Sequence, residues 1–162
     1  MCTKRRAKEI IDTVYGSKWL KFREAQPFYM KIVLEALQLS GRMDLAIQLI
    51  RERWGKRMVD RGRTSCTEEW GENGSWRGRD YSGFLRTHSH AWSGCCAEFL
   101  IRHLAGLEFV DPGAKTLKIA PYQGDFDYSI SYPVPSGLVT VEYQDGKLSC
   151  HASDGITLVQ DK

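Results

Sequence analysis

Apolar residues recur at three- and four-residue steps in the earlier part of the chain and at two-residue steps in the later part. The change falls at Asp111-Pro112-Gly113. In the first regime the pattern predicts a helix from about Lys4 to Val14, stopped at Gly16. A second helix begins at Pro27, whose missing N–H suits a first helical turn. It carries Phe28, Ile32, Val33, Ala36 and Leu37 on one broad face and stops at Ser40-Gly41. Leu45, Ala46, Leu49, Ile50 and Trp54 then repeat at helical spacing, so residues 27–55 read as an antiparallel helical hairpin with a tight turn. A fourth helix is predicted from about Trp92 to Ala105, with Cys95, Phe99, Leu100 and Leu104 on its buried side and Gly106 as its cap.

In the second regime short alternating runs are separated by turn residues. These are Leu117 and Ile119; Phe126, Tyr128, Ile130 and Tyr132; Val139, Val141 and Tyr143; Leu148 and Cys150; and Ile156 and Leu158. Asp145-Gly146 is a hairpin turn of a favoured type. This part is expected to form an antiparallel sheet with one buried and one wet face. The expected fold class is therefore α+β, with a helical region at residues 1–108 and a strand region at 109–162.

Between the third and fourth helices lies TSCTEEWGENGSWRGRDYSGFLRTHSHAWSG, from Thr64 to Gly94, with neither periodicity. Uncommitted backbone of that length in a compact domain is either disordered or an active-site loop. Disordered segments are poor in aromatics, whereas this one holds Trp70, Trp76, Trp92, Tyr81 and Phe84 beside Glu68, Glu69, Glu72, His88 and His90. The functional reading is the better one. A carboxylate near a pocket can serve as a general base, and tryptophans can wall such a pocket and exclude water. Taken alone, Glu68, Glu69 and Glu72 are far better read as solvated loop charges.

Composition removes some classes. The net charge is +3, and the basic run from Arg51 to Arg63 is broken by Glu52 and Asp60 and shares its helix with Trp54 and Met58. That describes a solvated helix face rather than the unopposed basic field phosphate recognition needs, so no nucleic-acid partner is expected. No apolar run approaches the roughly 20 residues of a membrane span, and the N-terminus lacks a signal-peptide pattern, so the chain as given is expected to be cytoplasmic with no membrane partner. Its five cysteines are odd in number and include the adjacent pair Cys95-Cys96, which is not a disulfide framework. His88 and His90 with Cys95 and Cys96 fit no common zinc signature, and no metal or cofactor is expected. Cys66, Cys95 and Cys96 are better read as small hydrophobes than as nucleophiles.

The strings PFYMKIVLEALQLSGRMDLAIQLIRERWGKRMVDRGRTSCTEEW, SHAWSGCCAEFLIRHLAGLEFVDPGAKTLKIAP and VPSGLVTVEY, in that order, resemble the C-terminal end of bacterial α-L-rhamnosidases of glycoside hydrolase family 78. The resemblance implies the last hairpins of a six-hairpin α/α toroid at residues 1–108, followed by a C-terminal β-sandwich domain at 109–162. It also implies hydrolysis of terminal α-L-rhamnose from glycosides with inversion. In that chemistry one carboxyl protonates the leaving oxygen and another activates water from the opposite face, the two standing roughly 6.5–9.5 Å apart. The family's base follows a segment like Thr-Thr-x-Trp-Glu-x-Trp; here Thr64-Ser65-Cys66-Thr67-Glu68-Glu69-Trp70 places it at Glu68, with Glu69 the alternative one residue on and Thr67 a departure from the pattern. His90, in His90-Ala91-Trp92, matches the family's substrate-contacting histidine. Trp70, Trp76 and Trp92 are the expected aromatic walls.

The family's general acid lies in a region that this chain does not match. The expected function is thus that of a C-terminal rhamnosidase fragment, inactive alone, whose partners are a rhamnose-containing glycoside and either further copies of itself or a missing N-terminal catalytic half. The alternative is a non-catalytic carbohydrate-binding or oligomerising structural module, and a third reading is a six-hairpin hydrolase or lyase for another sugar.

Overall fold

The computed structural model describes residues 3–15, 25–71 and 86–160. The chain divides into two compact units, 1–96 and 97–162. The first is helical. Its elements are α1 (Lys4–Tyr15), α2 (Pro27–Leu39) and α3 (Met43–Ile50). From α3 the chain continues unbroken through Arg51–Val59 with a wider winding, in which the Asp60 N–H reaches back five residues to the Gly55 carbonyl.

The predicted hairpin is α2 and α3. It turns at Ser40-Gly41, where Gly41 takes a left-handed φ of 71° and the Arg42 N–H returns to the Leu37 carbonyl at 2.8 Å. Met30, Leu34 and Leu37 of α2, and Ala46, Ile47 and Ile50 of α3, are buried. At the start of α3 Arg42 makes a two-pronged pair with Asp44, at 2.9 and 2.7 Å, and a further pair with Asp12 of α1. The guanidinium holds the Asp44 carboxyl below its ordinary range, against the opposing effect of burial.

The second unit contains the end of the fourth helix and the strands. Helix α4 (Cys95–Phe99) is preceded by a tight 3₁₀ turn at Ala91–Gly94 and followed by a wider stretch at Leu100–Leu104. Trp92, expected to open a helix, stands in that turn. Gly106 ends the helix as predicted, with φ 66°; a Cβ there would lie 2.0 Å from the Ala120 carbonyl oxygen, so only glycine fits.

Strands β1 (Leu107–Phe109), β2 (Thr116–Ile119) and β6 (Thr157–Gln160) form one three-stranded sheet in the order β1-β2-β6. Strands β3 (Tyr128–Val134), β4 (Gly137–Gln144) and β5 (Lys147–Ala152) form another. The strand region is thus two small, mostly antiparallel sheets in the expected α+β fold; the departure is the parallel pair β2 with β6, Thr116 facing Thr157. Residues 120–156, which hold β3, β4 and β5, lie between the two and allow this, since parallel strands need a crossover rather than a hairpin. In β3-β4-β5 the alternation holds: Val139 and Val141 are buried, with Ile130, Tyr132 and Cys150 packed beside them. The opposite face carries Ser131 bonded to Thr140 at 3.1 Å and Ser129 bonded to Glu142 at 3.2 Å. Leu107, Leu117 and Ile119 complete that core.

Candidate active-site cleft

Two stretches of the long irregular segment run beside each other in the helical unit. The Glu68 N–H donates to the Thr87 carbonyl at 3.1 Å and the His90 N–H to the Cys66 carbonyl at 2.8 Å. The Ser65 hydroxyl closes the end of this short ladder on the His88 carbonyl. The pairing carries residues 66–68 and 87–90 side by side, which brings two glutamates and a histidine to one place although their sequence separation exceeds twenty residues at its widest. Buried Thr67 donates its hydroxyl to the Glu69 carbonyl at 2.9 Å and so fixes the turn of chain that presents Glu68.

Trp70 holds the segment from behind. It is 1% exposed, its indole N–H donates to the Ala25 carbonyl at 2.8 Å, and its ring meets Trp54 edge to face at 5.0 Å. The Arg57 guanidinium lies 5.6 Å from the Trp70 ring, a cation–π contact. Trp54 in turn donates to the Ser93 carbonyl at 2.6 Å, tying the helix to the turn before α4. Trp70 was expected to wall a sugar pocket. Its burial in this aromatic cluster makes it an anchor instead, because an amphipathic indole in a core finds a partner for its N–H and excludes everything else.

In front of that anchor is a cleft of about 410 Å³ lined by Gln26, Phe28, Tyr29, Glu68, Glu69, Arg86, His90 and Trp92. Ligand pockets commonly run from about 300 to 1,000 Å³ and combine apolar walls with a few placed polar groups. Of the residues singled out from sequence, Glu68, His90 and Trp92 meet here, and Trp76 lies outside the described residues. Trp92 is 65% exposed, with its ring 4.9 Å from Phe28 and 6.0 Å from His90.

Glu68 and Glu69 share one cation. Arg86 donates from Nη1 to Glu68 at 3.2 Å and from Nε to Glu69 at 3.0 Å. The Thr87 hydroxyl reaches the second oxygen of Glu68 at 3.3 Å. Glu69, expected to be a solvated loop charge, is 2% exposed and depends on that guanidinium, since a buried charge needs a counter-ion. Glu68 is the more open of the two. Arg86 itself has φ 56°, a left-handed conformation unusual for a residue with a side chain and a kind of strain that collects at functional sites.

Gln26, Phe28, Tyr29 and Arg86 escaped sequence reading. Arg86 was one of several basic residues in an aperiodic loop, and Phe28 was counted with the apolar face of α2. A signal was present in Phe28-Tyr29, two consecutive aromatics of which a helix can turn only one fully inward. Among the described residues no group of three His, Cys, Asp or Glu side chains is arranged to hold a metal ion. Cys95 is buried, its thiol 3.6 Å from the Pro27 carbonyl.

No protein-family model matches the chain, and no curated protein does. Solved structures do. A GH78-family rhamnosidase of Bacillus sp. GL1 superposes with a TM-score of 0.68 at 24% identity, over 99% of this chain and 19% of its own. The α-L-rhamnosidase of Streptomyces avermitilis, solved with L-rhamnose, gives 0.65 at 20% identity, over 96% of this chain and 16% of its own. That of Aspergillus terreus gives 0.70 at 17% identity, over 97% and 19% respectively. The chain therefore has, along nearly its whole length, the fold of a stretch that makes up about a fifth of these α-L-rhamnosidases.

Proposed function

We propose that the cleft is one wall of an α-L-rhamnosidase site and that Glu68 is its water-activating base. The observation that carries this reading is the meeting of Glu68, His90 and Trp92 in one cleft of a rhamnosidase-like fold. Thr87 and Arg86 each take one lone pair of the Glu68 carboxylate and fix its plane. Each carboxylate oxygen retains acceptor capacity for a water proton. As water attacks the anomeric carbon, its proton passes to Glu68 and the C–O bond to the leaving group breaks on the opposite face of the sugar. His90 offers a ring nitrogen to a sugar hydroxyl, and Trp92 covers the apolar face of the ring.

The leaving oxygen needs a proton from a second carboxyl on that opposite face. Glu69 does not fill the role: it adjoins Glu68, is buried and is bound to the same guanidinium. In this reading the acid comes from a further segment, so the chain alone turns over rhamnosides slowly or not at all. The test is titration of L-rhamnose into the isotope-labelled chain. The account expects saturable shifts of the Glu68, His90 and Trp92 amides with the β3-β4-β5 sheet unaffected; shifts confined to that sheet, or none, would remove it.

A second reading, a non-catalytic module that assembles with copies of itself, is favoured by one observation. Phe28, Tyr29, Ile32 and Leu39 of α2 are exposed, which is a large apolar face for a soluble helix.

A further inference from the structure

A second cleft, of about 700 Å³, lies wholly within the second unit, between the helix that carries Glu98 and Arg102 and the strands β1 and β3. Leu107, Glu108 and Phe109 are consecutive in β1, and all three line it. Successive residues of a strand face opposite ways, so the cleft runs along the edge of β1 rather than under one of its faces. Among the described residues β1 is the outermost strand of its sheet, which leaves that edge open. The groups that line the cleft are within reach of a ligand, since Glu98, Arg102, Glu108 and Phe109 are all exposed.

Their chemistry is that of a site for a neutral, hydroxylated molecule. Arg102 donates from Nη1 to Glu98 at 3.4 Å, so the guanidinium and one carboxylate offset each other. With Glu108 and His103 added, two carboxylates stand against one guanidinium and one imidazole, a balance that gives neither an anion nor a cation a strong hold. Hydroxyl groups suit such a set, because they donate to carboxylates and accept from a guanidinium. The Phe109 and Tyr132 rings meet edge to face, 5.8 Å apart and at 62°, so one of them keeps a face that the other does not cover. We propose that this cleft is an accessory carbohydrate site, in which a neutral disaccharide unit of a glycan lays an apolar C–H face on the Phe109–Tyr132 pair and turns hydroxyls to Glu98, Arg102 and Glu108. Its volume sets the size of the ligand. It exceeds the 410 Å³ of the cleft beside Glu68, so a single sugar ring would leave much of it empty. An added peptide strand would find little to pair with, because β1 has only three residues.

The site does not depend on the role of Glu68, and the experiment keeps the two apart. Cellobiose, maltose and a rhamnosyl-glucose disaccharide are titrated into the isotope-labelled chain, with tetramethylammonium chloride as the cationic comparison. At least one disaccharide is expected to give saturable shifts of the Glu108, Phe109 and Tyr132 amides, and free L-rhamnose to leave them in place. Phe109→Ala should weaken that binding about tenfold, the upper end for one aromatic contact. If no disaccharide moves these amides, or if only tetramethylammonium does, the proposal is overturned, a result that needs no variant. A Phe109→Ala chain with wild-type affinity would overturn it as well. Shifts confined to Glu68, His90 and Trp92 would remove this site and leave the other cleft standing.

Discussion

At the scale of single residues the two tryptophans nearest the carboxylates have opposite jobs. Trp70 is enclosed by Trp54, Arg57, Ala25 and Gln26, and its truncation leaves a cavity and breaks a buried N–H bond. Trp70→Ala is expected to cost about 3–5 kcal/mol, the range for large aromatics removed from cores. Trp92 is mostly exposed, and Trp92→Ala should change stability by no more than about 0.5 kcal/mol. Urea denaturation of both variants checks this; similar losses for the two would mean that Trp92 is also an anchor. Sequence placed both beside the sugar, because a tryptophan near a glutamate looks the same whether its ring faces a ligand or a core. What separates them is Trp54, one element away and invisible to local pattern.

At the scale of elements, Tyr128 of β3 ties the end of the helix after α4 to the loop before β3. Its hydroxyl lies 3.0 Å from the Leu104 carbonyl and 2.7 Å from the Tyr122 carbonyl. Burial first, then the neighbouring Cys150 and Tyr143, push its ionisation up to about 12 from 10.0. The folded state thus holds the phenolic proton more tightly than the unfolded one. The stability this contributes is complete below pH 10 and is lost as pH rises through about 12. Tyr128→Phe should cost about 1 kcal/mol at neutral pH, the order of one hydrogen bond, since the Leu104 carbonyl keeps the Tyr122 N–H, and should flatten the fall in stability between pH 10 and 12. Denaturation curves across that window decide it, and equal slopes for the two proteins would show that another group controls alkaline unfolding. The elements themselves were largely legible: the α2-α3 hairpin, the Gly106 stop and the Asp145-Gly146 turn each rest on local chemistry that sequence displays. The parallel pairing of β2 with β6 was not, since it is a contact between strands far apart in the chain. The ladder joining residues 66–68 to 87–90 was hidden for the same reason, and with it the grip of Arg86 on both glutamates.

At the scale of the whole molecule, the chain spans about a fifth of the length of the rhamnosidases whose fold it shares. Phe28, Tyr29, Ile32 and Leu39 of α2 are exposed. Light scattering of the isolated chain is expected to show self-association, or a monomer that binds a hydrophobic dye; a strict monomer that binds none would count against a missing or borrowed partner. The central claim, that Glu68 is a catalytic base and Glu69 its buried neighbour, is tested most directly by turnover. The measurement uses a chimera in which this chain replaces its counterpart in the Bacillus sp. GL1 rhamnosidase, assayed on an aryl α-L-rhamnoside. The account predicts a working chimera in which Glu68→Gln lowers kcat by at least about 10²-fold with KM little changed, since the amide keeps the shape and loses the basicity. Glu69→Gln should lower stability more than it lowers kcat. Near-normal turnover by Glu68→Gln, or loss of turnover in Glu69→Gln alone, would contradict the assignment.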